Sequence, residues 1–225
     1  MSTPARRLIK PTTPRTVHLL NLRTLPAPVQ AEATTESNFV HIAALCPATK
    51  SVASQPETIE LPGGKRYTPD YCVETQDGGQ SFWEVKLESR IGSYRHRFAL
   101  AAAHFSQRGA PFFVISEKQL RDGRLHRDAR LILRYAKASY SPQPISDVLQ
   151  CLQASPDGLS IADLRERLQV PRELLFHLIA QRQITFARGV GTTETTVLKA
   201  TQSTEFTNAL HLARWFNVSP WRANP

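Results

Sequence analysis

Two carboxylates and a lysine stand at a spacing that invites chemistry: Asp70, preceded by Pro69, and the run Glu84-Val85-Lys86. Between them lies Gln76-Asp77-Gly78-Gly79-Gln80, whose Asp-Gly pair is a hairpin-closing signal. A hairpin centred near Asp77 sets Asp70 opposite Glu84. Alternation along the second strand puts Glu84 and Lys86 on one face and Trp83, Val85 and Leu87 on the other. Asp70 and Glu84 are hard oxygen donors, suited to Mg²⁺ or Mn²⁺ rather than zinc. The Val85 carbonyl lies between Glu84 and Lys86 as a further oxygen ligand. Lys86 suits orienting or deprotonating a water, or neutralising charge that builds on a phosphate. The chemistry expected of this set is in-line hydrolysis of a phosphodiester without a covalent enzyme intermediate. The competing reading is a solvated hairpin with an incidental Glu-Lys pair, because so short a pattern arises by chance.

The elements that must position these groups follow from periodicity. From Ala31, the residues Glu32, Glu36, Phe39, Val40, Ala43, Ala44 and Leu45 suit a helix ended before Pro47. Glu32 and Glu36 sit one turn apart on it, and Glu36 would complete the metal shell. Strands are expected over Glu57–Leu61, Arg66–Glu74, Ser81–Leu87 and Pro111–Ser116. A helix is expected over Ser93–Gln107, with Ser93 as a cap and Gly109 as its stop. Helix, three-strand meander, helix and strand together predict an α/β mixed sheet flanked by helices.

A basic amphipathic helix spans roughly Arg124–Ala138, and Ser141-Pro142-Gln143-Pro144 reads as a linker. Beyond it, Ile145–Gln153, a helix capped by Ser160 with Asp163, a helix from Pro171, and a hairpin split by Gly189-Val190-Gly191 form a winged-helix-like pattern. The expected units are a basic extended arm over 1–30, a catalytic domain over 31–140, a winged-helix-like domain over 145–202, and an aromatic tail over 203–225.

Charge is segregated along these units. Residues 1–30 hold five basic residues and no acid, 31–85 hold eight acids against three bases, and 86–137 hold twelve bases against four acids. The remainder is near balance, with eight bases and seven acids. Acids thus gather at the suspected site and basic segments flank it, the pattern of an enzyme that holds cations and grips a polyphosphate strand. Arg6, Arg7, Arg90, Arg95 and Arg97 are the expected DNA contacts. Trp215, Phe216 and Trp221 either pack onto the C-terminal domain or anchor a partner protein. His41, His96, His104 and His126 have no ligand-spaced partner. Three widely spaced cysteines, with no apolar run able to span a bilayer and no secretory signal, predict a cytoplasmic protein.

The order Glu36…Gln55-Pro56…Tyr67-Thr68-Pro69-Asp70-Tyr71…Glu84-Val85-Lys86 resembles the PD-(D/E)XK restriction-endonuclease-like superfamily. More narrowly, it resembles TnsA, the endonuclease subunit of heteromeric cut-and-paste transposons. The resemblance implies a Mg²⁺-dependent endonuclease, with Mn²⁺ able to substitute, whose catalytic set is Glu36, Asp70, Glu84 and Lys86. It implies cutting of the non-transferred strand at transposon ends in double-stranded DNA. Its implied partners are a TnsB-type DDE transposase and a TnsC-type AAA+ ATPase, in a bacterial cytoplasm. Two departures stand out. The family often has Gln at the place of Glu84, and Ala33-Thr34-Thr35-Glu36 meets the usual lead-in only loosely, which leaves Glu32 as the other helix carboxylate. A stand-alone restriction or repair nuclease and a non-catalytic DNA-binding adaptor are the alternatives.

Overall fold

A computed structural model describes residues 17–201 and 209–222. A ribbon of β1 (His18–Leu20) and β2 (Val29–Ala31) leads into helix α1 (Thr34–Leu45). The central sheet is built from β3 (Thr49–Ser54), β6 (Tyr71–Thr75), β7 (Gln80–Val85) and β8 (Phe112–Ile115) in that order. Strands β3, β6 and β7 pair antiparallel, whereas β7 and β8 pair parallel, so the sheet is mixed. The parallel pair needs a crossover, supplied by helix α2 (Glu88–Gln107). A separate hairpin of β4 (Ile59–Leu61) and β5 (Lys65–Tyr67) precedes β6.

The β6–β7 turn is built from the residues that demand it. Gly78 takes φ 83°, and Asp77 Oδ1 accepts from the Gly79 N–H at 3.0 Å and from Thr75 Oγ1 at 2.5 Å. That turn fixes the ladder Tyr71↔Trp83 through Glu74↔Gln80, and one step further sets Asp70 opposite Glu84. The expected strand over Arg66–Glu74 is two strands. Pro69 has no N–H to donate, so the chain leaves its pairing with β4 there and joins β7 from Tyr71 onward. Strand β3, unforeseen because its sequence TKSVAS is mostly polar, supplies the missing edge.

Both faces of β7 are covered, which explains its almost unbroken burial. Phe82 faces α2 and stacks on Phe105 at 3.8 Å, while Trp83 faces α1 and lies 5.3 Å from Phe39. Helix α2 begins at Glu88, not Ser93. The Glu88 N–H donates to Glu117 Oε2 at 2.9 Å, and Ser93 is inside the helix, its hydroxyl donating to the Arg90 carbonyl. Gly109, at φ 70°, ends it as expected.

After β8 come α3 (Glu117–Arg121) and α4 (Leu125–Leu133). Helix α5 (Pro142–Gln153) starts within the stretch read as a linker, because Pro fits the first turn of a helix. Then follow β9 (Leu159–Ser160), α6 (Ile161–Leu168), α7 (Arg172–Ala180), β10 (Ile184–Phe186) and β11 (Val197–Ala200). The three strands form an antiparallel sheet in the order β10-β11-β9. Ser160 and Asp163 make the anticipated reciprocal cap of α6. A last helix, α8, spans Ala209–Trp215.

The C-terminal region shares the core of the N-terminal one. A single apolar cluster runs from Phe39, Trp83 and Phe113 through Leu175, Ile179 and Phe186 to Phe216. Arg182, at the end of α7, donates to the carbonyls of Ala44 and Thr49, tying that end to α1 and β3. No helix among the described residues is long and apolar enough to cross a membrane.

Candidate active site

Glu36, Asp70, Glu84 and Lys86 meet at one end of the sheet, each delivered by a different local device. The Pro69 break leaves Asp70 at the mouth of β6, where its Oδ2 accepts from the Val85 N–H at 2.9 Å. Glu84 is the last polar position of β7 and is only 3% exposed. Its two oxygens are both engaged, one by Lys86 Nζ at 2.6 Å and the other by the Tyr67 hydroxyl at 2.7 Å. Glu36 sits in the first turn of α1, its Oε2 accepts from the Glu32 N–H at 2.7 Å, and the Tyr71 hydroxyl is shared between the Gln30 carbonyl at 3.0 Å and that same Oε2 at 3.4 Å. Glu32 turns its own carboxylate to Gln55 Nε2 at 3.3 Å.

Charge crowding is evident in the acids. Burial pushes Asp70 well above the usual carboxylate range, and the charges of Glu84 and Glu36 push it further. The Val85 N–H and the Lys86 ammonium offset this only in part. Burial likewise raises Glu36, with the charges of Glu32 and Glu84 adding to it, against the hydrogen bonds from the Glu32 N–H and Tyr71. Burial also works against the Lys86 ammonium, but Glu84 and Asp70 outweigh it and hold its pKa above that of an ordinary lysine. In this arrangement Lys86 is a cation held by Glu84.

The donor set fits a hard divalent cation: all its groups are carboxylate oxygens, mutually repelling and short of positive charge. Among the described residues, however, no three His, Cys, Asp or Glu side chains are gathered as a ready-made cage. The reason is visible: Glu84 is turned onto Lys86 and Tyr67, and Glu36 onto the Glu32 N–H. Asp70, Glu84 and Glu36 are the residues that would hold a cation. Val85 stands at the site through its N–H bond to Asp70.

Three supporting residues went unassigned in the sequence. Tyr67 and Tyr71 flank Asp70 and point to opposite sides, one reaching Glu84 and the other Glu36. Both phenols are pushed well up by burial and by the carboxylates beside them, so they remain proton donors. Gln55 adopts φ 46°, rare for a residue other than glycine, and its N–H donates to the Asp70 carbonyl at 2.7 Å. The only advance signal was their place in the Gln55-Pro56 and Tyr67–Tyr71 blocks.

The remaining candidates are dispersed. Arg90, Arg95 and Arg97 are exposed on the first half of α2. Arg90 and Arg97 follow a one-face spacing with Tyr94, and Arg95 falls off that stripe. Arg6 and Arg7 lie outside the described residues. Trp215 and Phe216 are buried, Phe216 stacked 5.7 Å from Phe39, so neither offers a surface to a partner in this conformation. Trp221 lies edge-on to Phe98 at 5.5 Å, and its N–H donates to the Phe112 carbonyl. Trp215 packs edge-on to Phe186 of the C-terminal region, whereas Phe216 and Trp221 pack on α1, the central sheet and α2 and not on the C-terminal domain.

No curated protein matches the chain. Residues 46–117 match the family model described as TnsA-like endonuclease N terminal, so the span that holds Asp70, Glu84 and Lys86 is similar to a TnsA-type endonuclease domain.

Proposed function

We propose that this chain is the metal-dependent DNA endonuclease of a heteromeric cut-and-paste transposase, hydrolysing the non-transferred strand at transposon ends. The observation that carries the reading is the meeting of Asp70, Glu84 and Lys86 with Glu36 at one sheet end, within and beside the matched span. A Mg²⁺ or Mn²⁺ ion held by Asp70, Glu84, Glu36 and the Val85 carbonyl would supply Lewis-acid polarisation of the phosphate and activation of a water. The chain's own groups do the rest. Lys86, fixed by Glu84, places an ammonium where charge grows on the phosphate. Tyr67 holds Glu84 in place from the hairpin, and Tyr71 and the Glu32 N–H hold Glu36.

The partners in this proposal are a DDE transposase and an AAA+ ATPase. The C-terminal order helix, strand, helix, helix, strand, strand supports a winged-helix reading of residues 145–202. In such a module the third helix normally reads DNA. Here α7 is buried from Leu174 to Ala180, so that helix packs into the core and presents no free face to a groove.

The test is strand-specific nicking of a labelled transposon-end duplex by the full chain with a TnsB-type DDE transposase added. Nicking of the non-transferred strand only when both proteins are present supports the proposal. Efficient cutting by the chain alone, on any duplex, replaces it with a stand-alone nuclease. In the same assay, Tyr67→Phe should lower the nicking rate by about 10–100-fold, the usual cost of losing a hydrogen bond to a ligand carboxylate. An unchanged rate would show that Lys86 alone suffices to orient Glu84.

A further inference from the structure

We propose that the cleft between the β4–β5 hairpin and the first half of α2 seats the DNA backbone on its way into the carboxylate site. This rests on the nuclease reading and adds to it a path for the strand and a new phosphate contact, Lys65, opposite the expected one at Arg97. The cleft, of about 420 Å³, is lined by Leu61, Pro62, Lys65, Tyr94, His96 and Arg97 among others. Its floor is apolar and aromatic, and its rims are cationic: Lys65 stands on the hairpin wall and Arg97 on the helix wall. Both are exposed, and neither is paired with a carboxylate among the described residues. By contrast, Arg108 is spent on Glu57 and Lys50 on Glu74.

Both walls end on the same carboxylate. Lys65 and Tyr67 share one face of β5, since they are two residues apart, and the Tyr67 hydroxyl reaches Glu84. On the other wall, the Tyr94 ring carries two cations, Arg97 at 5.2 Å and Lys86 at 5.1 Å, and Lys86 pairs with Glu84. A strand lying in the cleft therefore meets Lys65 and Arg97 first and the Glu84–Lys86 pair next. The hairpin tip is open: Gly63 and Gly64, at φ 81° and 70°, have no neighbouring atom within 4 Å of where a Cβ would stand. In this role the two cations contact phosphates, and phosphate contacts set the register of the strand and hence where the cut falls, without carrying sequence information.

The experiment is fluorescence anisotropy of the full chain on a labelled transposon-end duplex from 50 to 200 mM KCl. It is run in an Asp70→Asn background so that the DNA stays intact. Adding Lys65→Ala and Arg97→Ala together should weaken binding and reduce the magnitude of the log–log salt slope by about 2, roughly 0.9 for each phosphate no longer neutralised. Lys65→Arg with Arg97→Lys should restore the slope, and Lys50→Ala, on the far edge of the sheet, should leave it unchanged. A slope equal to that of the Asp70→Asn parent, or a parent that does not bind DNA, overturns the proposal. A reduced slope in a protein whose unsubstituted form never nicks DNA, even with its transposase, supports the cleft and sinks the nuclease reading instead.

Discussion

Asp70→Asn is expected to abolish DNA nicking and, in the same protein, to raise the melting temperature measured in EDTA. The loss of activity should be at least about 10²–10³-fold, the scale of removing one group that stabilises the transition state. The gain in stability has a separate cause. Asp70 is packed beside Glu84 and Glu36, and burial and their charges hold its pKa well above the ordinary value in the folded protein. Below the unfolded carboxylate pKa, Asp70 is protonated in both states and contributes no difference. As pH rises from there toward the folded value, the unfolded chain gives up its proton at little cost while the native state resists doing so, and stability falls. The amide has no such dependence, and its oxygen can still accept from the Val85 N–H. The melting-temperature difference between variant and parent should therefore be near zero at about pH 4 and open toward neutrality, at about 2–4 °C for each kcal/mol relieved. Adding Mg²⁺ should close it by stabilising the parent alone. A variant that melts no higher than the parent near neutral pH in EDTA would mean that the carboxylates are not in conflict, and the case for a cation site would fail with it.

The parts of this site that could be read in the sequence are those set by local chemistry. Asp77-Gly78 dictates its own turn, the turn fixes the β6–β7 ladder, and the ladder sets Asp70 opposite Glu84. Ser160 and Asp163 announce the start of α6 in the same way. What stayed hidden depends on residues distant in sequence. Tyr67 gives no sign of its bond to Glu84, because the two belong to different sheets joined only through the Pro69 break. The missed start of α2 has a similar origin: its cap is Glu117, at the far end of the crossover. Strand β3 lacks apolar alternation because only Val52 of its six residues joins the apolar core. The aromatic tail was ambiguous for a plainer reason. A Trp or Phe anchor looks the same in sequence whether its pocket belongs to a partner or to its own chain.

That last ambiguity leads to the largest stability effect expected, from Phe216→Ala. Phe216 is 2% exposed and lies 5.7 Å from both Phe39 and Trp83, so the tail closes the core beneath the site. Removing a buried Phe ring costs about 3–5 kcal/mol, and a chain of this size converts that into a melting-temperature loss of roughly 6–20 °C. A drop of under about 2 °C would place Phe216 outside the core and return it to the role of a partner anchor. The functional consequence runs through α1. Phe39 is three residues after Glu36 on that helix, so a cavity beside Phe39 loosens the turn that presents Glu36 to Asp70 and Glu84. Nicking at a temperature well below the new melting point should therefore fall while DNA binding in the Lys65–Arg97 cleft holds, because that cleft is walled by α2 and the hairpin and not by α1. Phe216→Leu, which leaves a smaller void, should recover part of both effects. If Phe216→Ala lowered stability yet left the nicking rate intact at low temperature, α1 would be positioned without the tail, and Glu36 would owe its place to Tyr71 and the Glu32 N–H alone.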